Sequence, residues 1–234
     1  MKYTVVVAMA SVALASLVSA SCDAPGEGEG EGEGEGEEPD CIIGDPSAQA
    51  EIVLVLRTVD GQTVDVQDGG EVPLILPPQG GKVTLIGVRA KNVTCRVLMN
   101  AGLFDHCAST FIGREGRPVE LIASPEHDGF GMPALPETLQ NFANIPVCPT
   151  FASRRDGDAE PYRLELRVTE SRRADEDAPR THVLSATVTP VCAEAAKEEE
   201  CRCECDVAYV QGAQEQCPTI KDDDLPAGEC PVDS

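Results

Sequence analysis

The 234-residue chain has no tryptophan, only 3% aromatic residues and only three histidines, His106, His127 and His182. Flat aromatic platforms for sugar rings are therefore scarce, and acid–base chemistry has few imidazoles to draw on. Positive charge is also short. Eighteen lysines and arginines stand against 41 aspartates and glutamates, a formal net charge of −23. Such a chain is repelled by a polyphosphate backbone at long range, which argues against a nucleic-acid partner. Past the first twenty residues no apolar run approaches membrane-spanning length. The G-x-S-x-G elbow, the H-E-x-x-H helix and the phosphate-cradling glycine loop are all missing. The acidic groups "DEDA", "DGDAE" and "KDDDL" lack the alternating oxygen ligands closed by a glutamate that a calcium loop requires. No catalytic residue, metal ligand or cofactor is assigned on these grounds.

Cysteine, by contrast, is abundant, with eleven in the chain. Met1 and Lys2 precede the apolar run Val5 to Val18 and then small residues, so residues 1–21 read as a secretory signal. Export places the cysteines where they oxidise. Two cleavage readings compete. Val18-Ser19-Ala20 offers an ordinary signal peptidase small side chains, with release before Ser21. Ser19-Ala20-Ser21-Cys22 resembles the lipobox of bacterial lipoproteins, with Ser19 where that family usually carries leucine. The resemblance implies that Cys22 is lipidated and that the membrane is a partner through this anchor. Setting Cys22 aside leaves Cys41, Cys95, Cys107, Cys148, Cys192, Cys201, Cys203, Cys205, Cys217 and Cys230, an even set of disulfide candidates. Cys148 with Cys192 and Cys95 with Cys107 are the expected pairs.

Residues 22–40 form an acidic tether in which Gly and Glu alternate from 26 to 37. Its period of two is not a strand signal, because glycine loses most entropy on ordering and stacked glutamates repel. The eighteen residues from Asp23 to Asp40 span roughly 23 Å as a flexible coil and at most about 60 Å extended.

From about Ala48 onward, short alternating runs broken by Gly, Pro and Asp point to strands. They are expected at 52–56, 63–67, 72–76, 82–93, 95–99, 119–122, 162–168 and 183–191, with "DGG" between the second and third marking a hairpin. The reading is an all-β fold, an antiparallel β-sandwich over 41–192, followed by a cysteine-rich acidic region over 193–234. "PYRLELRVTE" followed by "THVLSATVTPV" resembles the last two strands of bacterial immunoglobulin-like domains, which implies an immunoglobulin-like sandwich. Residues 126–158 read as a long connection and the first place to seek a binding site. Within it Glu126-His127-Asp128 is the constellation a hydrolase would need, with Asp156 and Asp158 further along. Cys203-x-Cys205, Ala208, Tyr209 and Cys217 resemble the closing half of an epidermal-growth-factor-like module, implying a small disulfide-stapled knob.

The whole arrangement resembles bacterial surface lipoproteins. It leads to the expectation of a non-enzymatic, exported cell-envelope or extracellular protein displaying its sandwich to a protein or envelope partner. Small-ligand or carbohydrate binding is the alternative, for which Tyr162, Tyr209 and Phe130 would have to form a surface row. A hydrolase ranks third.

Overall fold

A computed structural model describes residues 41–77, 80–133, 139–150, 152–171, 178–209, 217 and 230. The strands are β1 (Ile42–Ile43), β2 (Glu51–Arg57), β3 (Thr63–Asp65), β4 (Gly70–Leu74), β5 (Lys82–Lys91), β6 (Val93–Thr94), β7 (Arg96–Asp105), β8 (Thr110–Ala123), β9 (Gly131–Pro133), β10 (Ala143–Cys148), β11 (Tyr162–Glu170) and β12 (Thr181–Cys192). One α-helix follows, α1 (Glu198–Cys205). The fold is thus an all-β sandwich with a disulfide-rich C-terminal region. The hydrogen-bonded path runs β3-β2-β5-β9-β8-β7-β11-β12-β4, with β10 also pairing β5 on the edge opposite β2. It folds over at β8 and β9. One layer holds β2, β3, β5, β9 and β10, and the other holds β4, β7, β11, β12 and most of β8.

Alternation explains which side chains meet between the layers. Val97, Met99, Ala101 and Leu103 of β7 point inward beside Tyr162, Leu164, Leu166 and Val168 of β11. Facing them are Leu54 and Leu56 of β2 and Ile86, Val88 and Ala90 of β5. Each large aliphatic side chain buried this way contributes about 1.5–3 kcal/mol. β5 is apolar on both faces, because Val83 and Leu85 join Val55, Phe142 and Ile75 in a second cluster outside the sandwich. Gly87 makes room there, since a Cβ would meet the Phe142 ring at 2.9 Å.

β11 and β12 pair antiparallel from Tyr162↔Val188 to Thr169↔Thr181. The Tyr162 hydroxyl donates to the Asp156 carbonyl at 2.6 Å, tying the strand start to the loop before it, as tyrosine corners do in sandwich folds.

Three expectations are corrected. β3 and β4 are not a hairpin: β3 pairs with β2, whereas β4 runs parallel to β12 from Gly70↔Val188 to Leu74↔Cys192. "DGG" instead carries the chain between layers. Asp68 Oδ1 accepts from Thr187 N–H at 2.7 Å, and Gly69, at φ +76°, donates to Thr187 O at 2.8 Å. Residues 126–158 are not one long loop either, since β9 and β10 lie within them and β10 pairs with β5 from Ala143↔Ile86 to Cys148↔Lys82. Last, the expected cysteine pairs do not form. The disulfides are Cys41–Cys95, Cys107–Cys230, Cys148–Cys205, Cys192–Cys201 and Cys203–Cys217.

These bridges make the C-terminal region part of the sandwich rather than a separate knob. In a helix, residues four apart share a face, so Cys201 and Cys205 of α1 both turn into the core. Cys201 bonds to the end of β12 in one layer, and Cys205 bonds to the end of β10 in the other. Cys203, between them, is left for Cys217. Lys82, 1% exposed at the start of β5, brings its Nζ to 3.1 Å from Glu204 Oε2 and 3.8 Å from Glu200 Oε1 on the same helix. An eight-residue helix is too short to hold itself. Covalent and ionic attachment to both layers holds this one.

Candidate functional site

The residues expected to carry chemistry fall in different places. His127 ends an exposed 3₁₀ turn, Pro125–His127. Asp128 beside it is left-handed at φ 51°, and its carbonyl accepts from Lys91 Nζ at 3.0 Å. Asp156 and Asp158 are far from that turn in role: Asp156 docks the C-terminal region and Asp158 holds the end of β12. Asp156 Oδ1 accepts from Val207 N–H and Asp158 Oδ1 from Cys192 N–H, both at 2.8 Å, while Gly157 N–H donates to Cys205 O at 2.7 Å. His106 is exposed beside the Cys107–Cys230 bridge.

His182 is the histidine that meets a carboxylate, with its Nε2 2.8 Å from Oε1 of buried Glu170. The other oxygen of Glu170 accepts from Arg180 at 2.8 Å and from Thr94 N–H at 2.9 Å. The neighbouring hydroxyls of Thr94 and Ser171 both donate to Arg96 O at 2.9 Å, so this cluster fastens β6, β7, β11 and β12 to one another. Sulfurs of Cys192, Cys201 and Cys205 lie within 4.8 Å of one another, yet each is bonded in a disulfide, and a disulfide sulfur is not a thiolate ligand. Tyr162 and Tyr209 are buried, at 1% and 7% exposure. The aromatic surface row that a sugar platform needs therefore does not form with Phe130. Cys22 and the acidic groups "DEDA" and "KDDDL" lie outside the described residues, apart from Ala178, which closes "DEDA".

A different surface stands out. The outer face of β8-β7-β11-β12 presents the side chains that alternate with the core. Pairing sets them in two adjacent rows: Arg114, Gly102, Glu165 and Ser185 in one, and Gly116, Asn100, Arg167 and Val183 in the next. Gly102 and Gly116 stand at the centre of this array, where the Phe111 ring and the Asn100 amide lie over them, and a hollow of about 270 Å³ beside these is lined by Asn100, Phe111, Arg114, Glu115, Glu165, Arg167 and Val183 among others. A Cβ at Gly102 would meet the Phe111 ring at 2.8 Å, and one at Gly116 would overlap the Asn100 amide oxygen.

Beside the hollow, Phe104 and Phe111 pack edge to face with centroids 5.2 Å apart. Arg163 lies 4.5 Å over Phe104 and Arg114 lies 4.3 Å over Phe111. Two rings capped by two guanidiniums make a stiff wall. Glu165 is held by Arg163, at 2.8 Å from Nε and 2.5 Å from Nη2. Arg114 and Arg167 are exposed, and among the described residues no carboxylate lies within ion-pairing distance of either. The alternation of residues 162–168 puts Arg163, Glu165 and Arg167 on the polar side of a strand. It misses Arg114, Phe104, Phe111 and Asn100, whose proximity depends on how β7 and β8 pair.

A second, larger hollow, about 620 Å³, opens between the edge strands β3 and β4. Leu56, Val59, Val64, Pro73 and Val191 floor it, and Asp60, Asp65 and Glu71 rim it. No protein-family model matches the sequence, and no curated protein matches it.

Proposed function

We propose that this is an exported, non-enzymatic binding protein, tethered at the cell envelope through lipid on Cys22, whose working surface is the outer face of β8, β7, β11 and β12. The observation that carries this reading is the pairing of all ten cysteines from Cys41 to Cys230 in five disulfides. Such a set belongs to an oxidising compartment and leaves Cys22 the odd thiol. The acidic residues 23–40 serve as the spacer between anchor and domain. The scattered histidines support a binding role rather than hydrolysis. Hydrolysis needs a nucleophile, a base and an orienting group within mutual hydrogen-bond reach; His106 lies in the turn after β7 and His127 on an exposed 3₁₀ turn, while His182 is paired with Glu170 in a cluster whose Thr94 and Ser171 hydroxyls donate to Arg96 O.

Intact-mass analysis of the membrane fraction from a native host tests the tether. The expected product begins at a diacylated Cys22 with ten protons fewer than the reduced chain, and Cys22→Ser releases the protein from the membrane. Thiol titration of the denatured, unreduced protein is expected to find none free. A soluble product beginning at Ser21, with one free thiol, overturns the anchor.

A further inference from the structure

We propose that the hollow between Arg114 and Arg167 binds a uronate unit of an acidic polysaccharide, its carboxylate held by the two guanidiniums and its hydroxyls by Asn100 and Glu165. This rests on the reading of that face as the working surface. The first observation is charge. In a chain of net −23, Arg114 and Arg167 on one face have no carboxylate partner among the described residues, although acidic side chains outnumber basic ones more than twofold. Unneutralised cations there mark a place for an anion from outside.

Geometry is the second. Arg114 is on β8 and Arg167 on β11, two strands and one row apart, so their Cα atoms are about 12 Å from each other by ordinary sheet spacings. They stand at opposite corners of a floor in which the Phe111 ring covers Gly102 and the Asn100 amide covers Gly116. An anion lying over that floor is reached from both corners. The stack of Arg114 on Phe111 orients one guanidinium before any ligand arrives, which lowers the entropy lost on binding.

The third observation selects the occupant. Glu165 lines the same hollow. An acidic peptide would bring carboxylates against it with no side-chain donor to offer. A uronate ring carries both kinds of group. Its hydroxyls donate to Glu165 and Asn100 Oδ1, and its carboxylate accepts from arginine. A hollow of about 270 Å³ suits one sugar ring with its substituents rather than a folded segment, and exposed Val183 offers an apolar wall to the ring's C–H face.

Calorimetric titration of the purified, oxidised protein with trigalacturonate, maltotriose and hexaglutamate tests this. Trigalacturonate is expected to bind with affinity that falls as salt rises, while maltotriose and hexaglutamate bind at least about tenfold more weakly. Arg114→Gln and Arg167→Gln are each expected to weaken trigalacturonate about tenfold, Arg167→Gln at unchanged melting temperature and Arg114→Gln with a small drop from the lost stack on Phe111. Arg202→Gln, on α1, leaves it unaltered. The proposal is overturned if trigalacturonate fails to bind at about 10 mM, if the double Arg114→Gln, Arg167→Gln variant binds it as well as wild type, or if hexaglutamate binds as tightly. A lipidated, membrane-bound protein that ignores trigalacturonate would sink the ligand and leave the tether standing. A soluble protein that binds it would do the reverse.

Discussion

Asp105, at the end of β7, is wholly buried, and its surroundings explain why it stays charged. Burial alone would raise its pKa, but hydrogen bonds from the Ser153 hydroxyl at 2.5 Å, from Cys107 N–H at 2.9 Å and from Arg155 at 3.3 Å hold it below its ordinary 3.8. Arg155 is in turn held by Glu160 and lies 5.1 Å over the Tyr162 ring. Because the folded carboxyl is the stronger acid, its contribution to stability is complete above pH about 3.9 and is lost as pH falls through the depressed value. Asp105→Asn should therefore cost about 3 kcal/mol near neutral pH, measured by urea unfolding, and the gap to wild type should narrow below pH about 4. A gap independent of pH would contradict this account. Tyr162→Phe, which removes the bond to Asp156 O and the hydroxyl contact with Ser153, should cost about 1 kcal/mol in the same assay.

At the scale of elements, two contacts are decisive. β8 passes over β10 so closely at Gly113 that a Cβ there would overlap the Pro146 carbonyl oxygen. Gly113→Ala must push the strands apart and should destabilise the fold by more than about 3 kcal/mol, read as a drop in urea midpoint. The other contact is the attachment of α1. Cys148–Cys205 closes 57 residues and Cys192–Cys201 closes 9, so loop-closure entropy assigns them about 4 and about 2.5 kcal/mol. Replacing Cys148 and Cys205 together by serine should raise amide exchange across residues 198–205 far more than across β7 and β11. Equal rises everywhere would mean that the helix is not a separable clamp. Lys82→Met should weaken the same contact, because it leaves Glu204 nearly buried without its cation.

Over the whole molecule, the five bridges close separations that range from 9 residues for Cys192–Cys201 to 123 for Cys107–Cys230. Each contributes roughly 2–5 kcal/mol, and their sum matches or exceeds the 5–15 kcal/mol of net stability usual for a domain. Full reduction should therefore unfold the chain at room temperature. Circular dichroism would record loss of the strand signal, and a reduced chain that still melts cooperatively would refute the estimate.

Much of this was legible in the residues. The alternation of "YRLELRV" sets its own inward and outward faces, the cysteine parity and signal segment point to oxidation, and the β-branched runs mark β2, β5 and β12. Strands rich in glycine or proline were not legible. "NAGLFD", "TFIGREGRP" and "NIPVC" became parts of β7, β8 and β10 only because neighbouring strands supplied hydrogen bonds that local propensity does not favour. The alternate placing of Cys201, Cys203 and Cys205 carried no helix signal. The helix chose spacing four instead, because that turn aims Cys201 and Cys205 at two different layers. Local sequence thus determined composition, charge, redox habit and which strands alternate. Tertiary structure alone decided the disulfide partners, the parallel pairing of β4 with β12 and the placing of Arg114 and Arg167 at opposite corners of one hollow, since each depends on strand register across the fold, which no local run of residues encodes.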